Sequence, residues 1–429
     1  MVKKSIKFFG LILFFIFIFI SEGQTEDFRL NLNRLIEEAL QNNPEILAFK
    51  KKWEAYKERP SQASALEDPM LGLGIISLPT NFSFKDEDMT MKEISISQKF
   101  HFPGKRPLVK EMAEKEAETV SSEIEERSNR IVKEVKAAYY DLAHVHQSIE
   151  ITQRNKEILE SFVKIAETQY SLGMGIQQDV LKAHVEVSKM VDELIMLGQR
   201  KRALEAKLNS ILNRSLETNV SRPEELSIKK LPFTFEELQR MAIELNPTLK
   251  VMKKMVEAKE KAYALAKREY YPDLNVRLAY GQRDNGTEMK RRDMLTGMVE
   301  INIPIFYKSK QDRKVAETKA EIQGIEAQYR AMKNEILFMI TDMGSMIQRV
   351  ERQFELYKTW IIPQASLQIN SALSSYRVGK ADFMTLLDSR MTLYRYELEY
   401  HQALTEYEKN IASLEAIVGR QLFQKGEQN

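Results

Sequence analysis

The chain repeats itself, and this duplication limits its possible folds more than any other feature of the sequence. Asn43-Pro44 recurs as Asn246-Pro247, within two stretches that match over fifteen residues, LNRLIEEALQNNPEI and FEELQRMAIELNPTL. The spacing is nearly constant at about 200 residues, which indicates two copies of one structural unit. Further pairs of landmarks recur at similar spacing: Pro69 and Pro272, Pro103 and Pro304, Tyr170 and Tyr376.

The duplication predicts the order of segments along the 429 residues. Each repeat begins with a helix, Phe28–Arg59 or Phe235–Tyr271, and continues with two strands around a polar loop. A long helical hairpin, closed by a Tyr-x-x-Gly turn, ends each repeat. The predicted segments are a targeting peptide over 1–23, the first repeat over 24–214, a linker over 215–232, the second repeat over 233–422 and a tail over 423–429.

The predicted strands alternate apolar and polar residues. In the third strand Leu274, Val276 and Leu278 share one face, while Asn275 and Arg277 lie on the other. A period of two with one apolar face predicts half-buried strands. Their lengths suit tilted membrane strands of about 9–11 residues, and a soluble hairpin resting on the helices is the alternative. The predicted strands are Met70–Leu78, Met89–Phe100, Leu274–Gln282 and Leu295–Ile303.

Two long stretches predict helices that span a distance rather than fill a compact core. Pro107–Tyr170 contains no glycine and no further proline, and Lys308–Ile361 contains no proline, with the helical pattern resuming after Pro363. The first stretch alone predicts a rod of roughly 95 Å at 1.5 Å per residue. Four strands cannot close a barrel in lipid, so a membrane interpretation requires several chains, of which two would supply eight strands and three would supply twelve.

The composition excludes several functional classes. The 64 basic and 62 acidic residues nearly cancel, so nothing indicates a nucleic-acid partner. The sequence has 0 cysteines, which removes disulfides, thiolate metal sites and cysteine nucleophiles. No motif of a nucleophile elbow, phosphate loop or metalloprotease occurs, so we expect neither a catalytic site nor a cofactor. His144 and His146 are two residues apart and do not share a helical face, so we expect no metal site there.

The first residues are typical of a secretory signal peptide. Three lysines precede the apolar run Phe8–Ile20, and Ser21 and Gly23 are small residues at the positions that a signal peptidase requires. A membrane anchor is the alternative, but the run is short compared with the roughly 20 residues of a spanning helix. We therefore expect cleavage after Gly23.

The motifs together resemble the TolC-type outer membrane factors, which are the exit ducts of tripartite efflux pumps and type I secretion systems. The resemblance covers residues 28–422 and rests on the duplication, on Asp68-Pro69, on the Phe-x-Phe-Pro-Gly-Lys-Arg run of Phe100–Arg106 and on both Tyr-x-x-Gly turns. The run Phe100–Arg106 is also similar to the heavy-metal efflux branch of the CusC and CzcC kind.

This resemblance implies a mainly helical fold with a small membrane β-barrel part, built from long coiled-coil hairpins and four strands per chain. It implies a homotrimer with a twelve-stranded barrel in the outer membrane and a twelve-helix tunnel in the periplasm. The implied partners are outer membrane lipid, a periplasmic adaptor (membrane fusion protein) and an inner-membrane pump such as a resistance-nodulation-division transporter. The expected function is a passive exit duct for metal ions or drugs. A type I secretion duct and a periplasmic coiled-coil scaffold outside the membrane are the alternatives.

The resemblance also places the candidate site at the two helix–turn–helix tips. Tyr170, Gly173 and Gly379 would belong to the surface that contacts the adaptor, and both glycines fit left-handed positions between antiparallel helices. The duplication then gives a trimer six similar tips.

Pore constriction and tip closure are assigned by the same resemblance. Asp388 matches the second of two acidic residues that lie three apart on one helix face in this family, and Thr385 stands at the first, with Asp382 nearby. Three copies of Asp388 would form a ring that favours cations. Tip closure is assigned to Asp179 and Tyr376.

The closing contact departs from the family pattern at one position. Ala381 stands where the family has an arginine, and Arg377 is the nearby basic residue. The predicted closure through Asp179 therefore involves Tyr376, with Arg377 as the replacement for the missing cation.

Overall fold

The computed structural model describes residues 29–286 and 289–423, so the predicted signal peptide and all but the first residue of the tail lie outside it. The fold is mainly helical with four strands, as predicted. The first half contains α1 (Leu32–Asn42), α2 (Pro44–Ala63), β1 (Met70–Ile76), β2 (Met91–Phe100), α3 (Lys105–Ser171) and α4 (Gln177–Ile211). The second half contains α5 (Phe235–Leu245), α6 (Pro247–Arg268), β3 (Leu274–Gln282), β4 (Met294–Ile301), α7 (Gln311–Leu356), α8 (Ile362–Arg377) and α9 (Phe383–Val418).

The first helix of each half is broken in two, where the sequence predicted one continuous helix. Asn43 ends α1 and caps α2, because its side-chain oxygen accepts the backbone N–H of Glu45 at 2.9 Å and the following proline cannot continue the helix. Asn246 caps α6 in the same way, accepting from Leu249 at 2.9 Å. The prediction of unbroken helices over Phe28–Arg59 and Phe235–Tyr271 was therefore wrong.

Both capping asparagines also connect distant parts of their own half. The Asn43 amide donates to the carbonyl of Ile211 at 2.9 Å, and the Asn246 amide donates to the carbonyl of Ile417 at 2.7 Å. Each bond joins the beginning of a repeat to the end of its last long helix. The duplicated Asn-Pro motif therefore performs the same two tasks in both halves.

The long helices have the predicted extent. α3 comprises 67 residues, or roughly 100 Å at 1.5 Å per residue. The corresponding path in the second half is α7 and α8, joined by a π-helical turn over Tyr357–Ile361. Pro363 follows this turn, and a wider turn accommodates a residue that cannot donate the next backbone hydrogen bond.

The four strands form one antiparallel sheet in the order β1-β2-β3-β4, so β1 and β4 are its edges. One row of paired residues crosses the whole sheet: Leu73, Ile94, Tyr280 and Leu295. Observed strand ends differ from the predicted ones for β1, β2 and β4. Ser77 adopts a left-handed backbone with φ of 52° and ends β1 early.

Three apolar clusters hold the helices together. One joins α3 and α4 to α8 and α9 around Phe162 and Phe383, close to the two hairpin turns. A second packs α5, α6, α7 and α9 around Tyr407, and a third packs α1 to α4 around Leu142. Helix α3 is therefore fixed at two levels along its length, which positions the hairpin turns far from the sheet.

Candidate functional site

The two hairpin turns have the same backbone geometry. Gly173 has φ of 72° and Gly379 has φ of 70°, both in the left-handed region that glycine enters without steric cost. The N–H of each glycine donates to the carbonyl of the tyrosine three residues earlier, Tyr170 or Tyr376, at 3.0 Å. The N–H of the following residue, Met174 or Lys380, donates to the carbonyl five residues before it at 2.9 Å, as in a Schellman motif.

The two tyrosines of these turns have different environments. Tyr170 is 50% exposed, whereas Tyr376 is 7% exposed and packs edge-on against Phe383 with ring centroids 5.6 Å apart. Exposure leaves Tyr170 available at the surface of the first tip, and its contact with an adaptor stays a prediction. Burial makes Tyr376 part of the core below the second tip.

Asp179 and Tyr376 lie close enough to interact electrostatically but are not hydrogen-bonded in this single chain. The Tyr376 hydroxyl is buried and has no hydrogen-bond partner among the described residues. Burial raises the pKa of Tyr376, and the negative charge of Asp179 raises it further. A closing contact between these two side chains remains a prediction.

The acidic side chains of the two tips influence one another electrostatically. Burial raises the pKa of Asp179, and the charge of Asp382 raises it further, so these carboxylates are electrostatic neighbours. Asp179 lies in the first turn of α4, and Asp382 is the N-cap of α9. The paired helix N-termini therefore gather negative charge within one chain, where each helix dipole favours it.

Asp382 has a structural partner. Its carboxylate accepts the backbone N–H of Thr385 at 2.7 Å, and hydrogen bonds from Thr385 lower its pKa. This contact caps α9. The assignment of Asp382 to a pore constriction stays a prediction.

Asp388 and Thr385 lie one turn apart on the exposed face of α9. Leu386 and Leu387, between them, are 0% and 3% exposed, so the opposite face of the helix is packed into the chain. Asp388 is thus directed away from the core of its own subunit. This is the orientation that a ring of carboxylates around a shared axis requires, and the ring stays a prediction.

Arg377 lies in the last turn of α8 and is exposed, and no ion pair involves it within the part of the chain that the structure describes. A basic residue near the carboxyl end of a helix complements the helix dipole. Its predicted role in tip closure requires a partner from another chain or another state.

Arg390 is a buried cation that the sequence analysis did not identify. Its Nε donates to the side-chain oxygen of Asn155 at 2.6 Å, and its Nη2 lies 3.7 Å from the Glu397 carboxylate. Arg390 is 5% exposed and Asn155 is 0% exposed. The signal was present in the sequence, because Arg390 falls on the helix face of Leu386 and Leu393, where an apolar residue is expected.

The sheet has one apolar face, and that face is the exposed one. Leu73 and Leu295 are 77% and 79% exposed, whereas Ser95 and Ala279, on the opposite face, are buried. The alternation predicted one apolar face on each strand, and in the single chain that face is not covered by the helices. A four-stranded surface of exposed aliphatic side chains is typical of proteins that contact lipid or another subunit. The exposed apolar residues on this face are Leu71, Leu73, Ile75, Ile94, Ile96, Phe100, Leu274, Leu278, Tyr280, Leu295, Val299 and Ile301, and Met70, Ile76, Met294 and Met298 are exposed at the two edge strands on the other face.

The part of the chain that the structure describes has neither a metal-binding cluster nor a membrane-spanning helix. Residues 29–286 and 289–423 contain no group of three or more histidine or acidic side chains arranged to hold a metal ion. Within the same part of the chain, none of the helices combines the length and hydropathy of a membrane-spanning helix.

The chain is duplicated, each half has a long helical hairpin that ends in a glycine turn, and the small sheet has an exposed apolar face. This is the architecture of an outer membrane channel subunit. The sequence pattern of the family described as "Outer membrane efflux protein" matches residues 35–214 and again residues 238–420. The chain belongs to this family.

Known relatives and structures agree with this membership. The cobalt-zinc-cadmium resistance protein CzcC of Cupriavidus metallidurans is 25% identical over 189 residues, and the match spans 43% of each chain. The crystal structure of VceC from Vibrio cholerae superposes with a TM-score of 0.76 at 17% identity, covering 91% of this chain and 97% of that one. CusC superposes with a TM-score of 0.76 at 14% identity, covering 91% of this chain and 92% of CusC.

Proposed function

We propose that the chain is the outer membrane channel of a tripartite efflux pump. The observation that carries this proposal is the family match over both halves of the chain. The exposed apolar face of the sheet supports it, because such a face is stable in lipid and costly in water. The channel is a passive duct, and an inner-membrane transporter and a periplasmic adaptor deliver its cargo.

The working unit is a homotrimer in this proposal. Strands β1 and β4 leave two open edges, and an open edge cannot lie in lipid. Because the sheet has four antiparallel strands, β4 of one chain can pair antiparallel with β1 of the next. Three chains then close a barrel of twelve strands. The long hairpins of the three chains form the periplasmic tunnel, and their six tips meet the adaptor.

The cargo is proposed to be a metal cation. The relative CzcC is a cobalt-zinc-cadmium resistance protein by name. Asp388 supports this choice, since a ring of exposed carboxylates at the tip attracts cations and disfavours anions. Thr385 and Asp382 flank this ring. Drugs are the second class of cargo, and a deletion strain tested against cobalt, zinc, copper and hydrophobic drugs separates the two.

Secretion by a cleaved signal peptide completes the proposal. Cleavage after Gly23 would leave Gln24 as the first residue of the mature protein. Intact mass of the protein purified from the outer membrane fraction measures this directly. A mass that retains residues 1–23 contradicts it. A mature protein found wholly in the soluble periplasm would instead favour the scaffold alternative.

Single-channel conductance in a planar bilayer tests the duct and its acidic ring together. We expect a small conductance that divalent cations block in the wild type, and a larger, less blocked one in Asp388→Ala. Glu58→Ala is the control, because Glu58 is an exposed acid on α2, far from the tips in sequence and outside their core. An unchanged block in Asp388→Ala rejects the acidic ring and leaves the duct. Folded, inserted protein that conducts no ions rejects the duct.

A further inference from the structure

The connection between β4 and α7 is unusually apolar for a solvent-exposed loop. It reads Ile-Pro-Ile-Phe-Tyr-Lys-Ser-Lys over residues 303–310, here called the β4–α7 segment. Ile303, Ile305 and Phe306 are 74%, 68% and 73% exposed. The segment continues directly from β4, whose residues are exposed on both faces. It therefore extends the apolar surface of the sheet toward the helices.

A group of cations follows the apolar residues at once. Lys308, Lys310 and Arg313 are exposed, and none of them forms an ion pair with any residue that the structure describes. The acid next to them, Asp312, is occupied as the acceptor of the Tyr270 hydroxyl. Three unpaired positive charges thus lie at the border between the apolar sheet and the charged helices.

The equivalent connection in the first half, between β2 and α3, packs against other residues of the same chain. Phe102 stacks on Tyr271 with ring centroids 4.5 Å apart, and the ammonium group of Lys105 lies 2.8 Å from the carboxylate of Asp273. Arg106 donates to the carbonyl of Ser64 at 2.7 Å. The two duplicated connections therefore differ. In the first, the aromatic ring and the cations contact other residues of the chain, whereas in the second they are exposed to solvent.

We propose that the β4–α7 segment binds anionic phospholipid at the membrane surface nearest the helices. Ile305 and Phe306 enter the acyl region, and Lys308, Lys310 and Arg313 hold phosphate headgroups. Apolar and aromatic anchors followed by unpaired lysines and arginines suit the boundary between acyl chains and anionic headgroups. This inference rests on the outer membrane location proposed above.

The charges favour lipid over a second copy of the chain as the occupant. Protein interfaces are depleted in lysine, and a neighbouring subunit would have to supply acids at this level. Two of the acids there are already engaged, Glu67 with Lys99 at 2.7 Å and Asp273 with Lys105 at 2.8 Å. Asp68 is the exposed acid that a second copy would bring, and it provides a test of that alternative.

The experiment measures lipid selectivity of the full chain in nanodiscs of phosphatidylcholine with graded phosphatidylglycerol. Spin-labelled phosphatidylglycerol and phosphatidylcholine report the fraction of each lipid that is immobilised by the protein. The site variant is Lys308→Gln with Lys310→Gln and Arg313→Gln. The control variant removes the same charge further along α7, as Arg330→Gln with Lys333→Gln and Arg352→Gln, which also lack ion pairs in the described chain.

We expect the wild type and the control to select phosphatidylglycerol several-fold, and the site variant to lose most of this preference while keeping its conductance. Raised ionic strength should weaken the preference of the wild type in the same direction. Equal selectivity in the site variant and the wild type overturns the proposal. A site variant that keeps its lipid preference but loses oligomer stability also overturns the proposal, and the same loss in Asp68→Asn would identify a subunit contact. Absent conductance in the wild type refutes the channel separately.

Discussion

The carboxylate of Asp273, from the second half of the chain, lies 2.8 Å from the ammonium group of Lys105, from the first half. The same carboxylate accepts the backbone N–H of Phe102 at 2.9 Å and contacts His101 at 3.1 Å. This contact joins the start of α3 to the start of β3 at the base of the sheet. It explains why a lysine follows Pro103-Gly104 in one half and an aspartate follows Pro272 in the other.

Asp273→Asn should destabilise this junction, most strongly at neutral pH. Burial alone would raise the pKa of Asp273, but hydrogen bonds from Lys105, Phe102 and His101 lower it from 3.8 to about 2. The charged carboxylate therefore contributes about 2 kcal/mol above pH 3.8, and this contribution disappears as pH falls toward 2. Thermal unfolding in detergent at several pH values measures it. Asp342→Asn, an exposed acid on α7, is the control and should have little effect.

Gly173→Ala or Gly379→Ala should lower the free energy of unfolding by about 1 kcal/mol, because alanine is strained at a positive φ. Nothing in the described chain lies within 4 Å of a Cβ added at Gly173 or Gly379, so the positive φ is the whole cost. Gly324→Ala is the matched control, because Gly324 also has open space but lies inside α7. That change should stabilise the chain by about 0.5–1 kcal/mol. Equal effects at all three positions in urea unfolding would contradict the argument.

The buried pair of Arg390 and Asn155 should behave as a coupled unit. Asn155→Leu removes the oxygen that Arg390 contacts at 2.6 Å and leaves a buried guanidinium short of a partner, which should cost about 1–3 kcal/mol. Arg390→Met with Asn155→Leu should recover part of that loss, because the buried guanidinium is then removed as well. A double-mutant cycle of unfolding free energies tests the coupling. Simple additivity of the two changes would show that the contact is not energetically important.

Mild acid should destabilise the centre of the molecule through half-buried histidines. A cavity of about 220 Å³ is lined by His144, His146 and His401 together with linker residues. Burial lowers the pKa of His146 to about 4, and the charges of Lys201 and Arg222 act in the same direction. The folded chain thus binds this proton less readily than the unfolded chain, so stability present above pH 6.5 is lost as pH falls toward 4.

The comparison of His146→Gln with the wild type isolates this effect. The variant should lose less stability than the wild type between pH 6.5 and 4, as measured by thermal unfolding. His184→Gln, at an exposed position on α4, should follow the wild type. Burial raises the pKa of Glu408 to about 7, so this group affects the pH dependence in the opposite direction. Because Glu408 is present in all three proteins, its effect cancels in the comparison. Parallel curves for His146→Gln and the wild type would reject the prediction.

The positions of the tips could be predicted because the local sequence determines them. A tyrosine, a spacer and a glycine end one helix in a left-handed turn, whichever half of the chain they occupy. The long helices were predictable for the same reason, since the absence of glycine and of any further proline between Pro107 and Tyr170 leaves little alternative to α3.

Other features depend on contacts between distant segments and could not be read from one stretch. The alternation in Leu274–Gln282 predicted a two-faced strand but not which face the rest of the chain would cover. Tyr376 is buried because it packs against Phe383, whereas Tyr170 is exposed, although both residues occupy the same position of a repeated motif. The partner of Arg390 lies on α3, far away in the sequence.

The two free strand edges have a genetic consequence. In the trimer proposed above, every subunit would contribute one β1 edge and one β4 edge, so a chain with a defective β4 would interrupt the barrel regardless of its neighbours. If such a variant is produced in equal amount with the wild type and mixes freely, only about one ring in eight contains three intact chains. Edge mutations should therefore be dominant in a cell that also carries the normal gene, whereas losses confined to stability should be recessive.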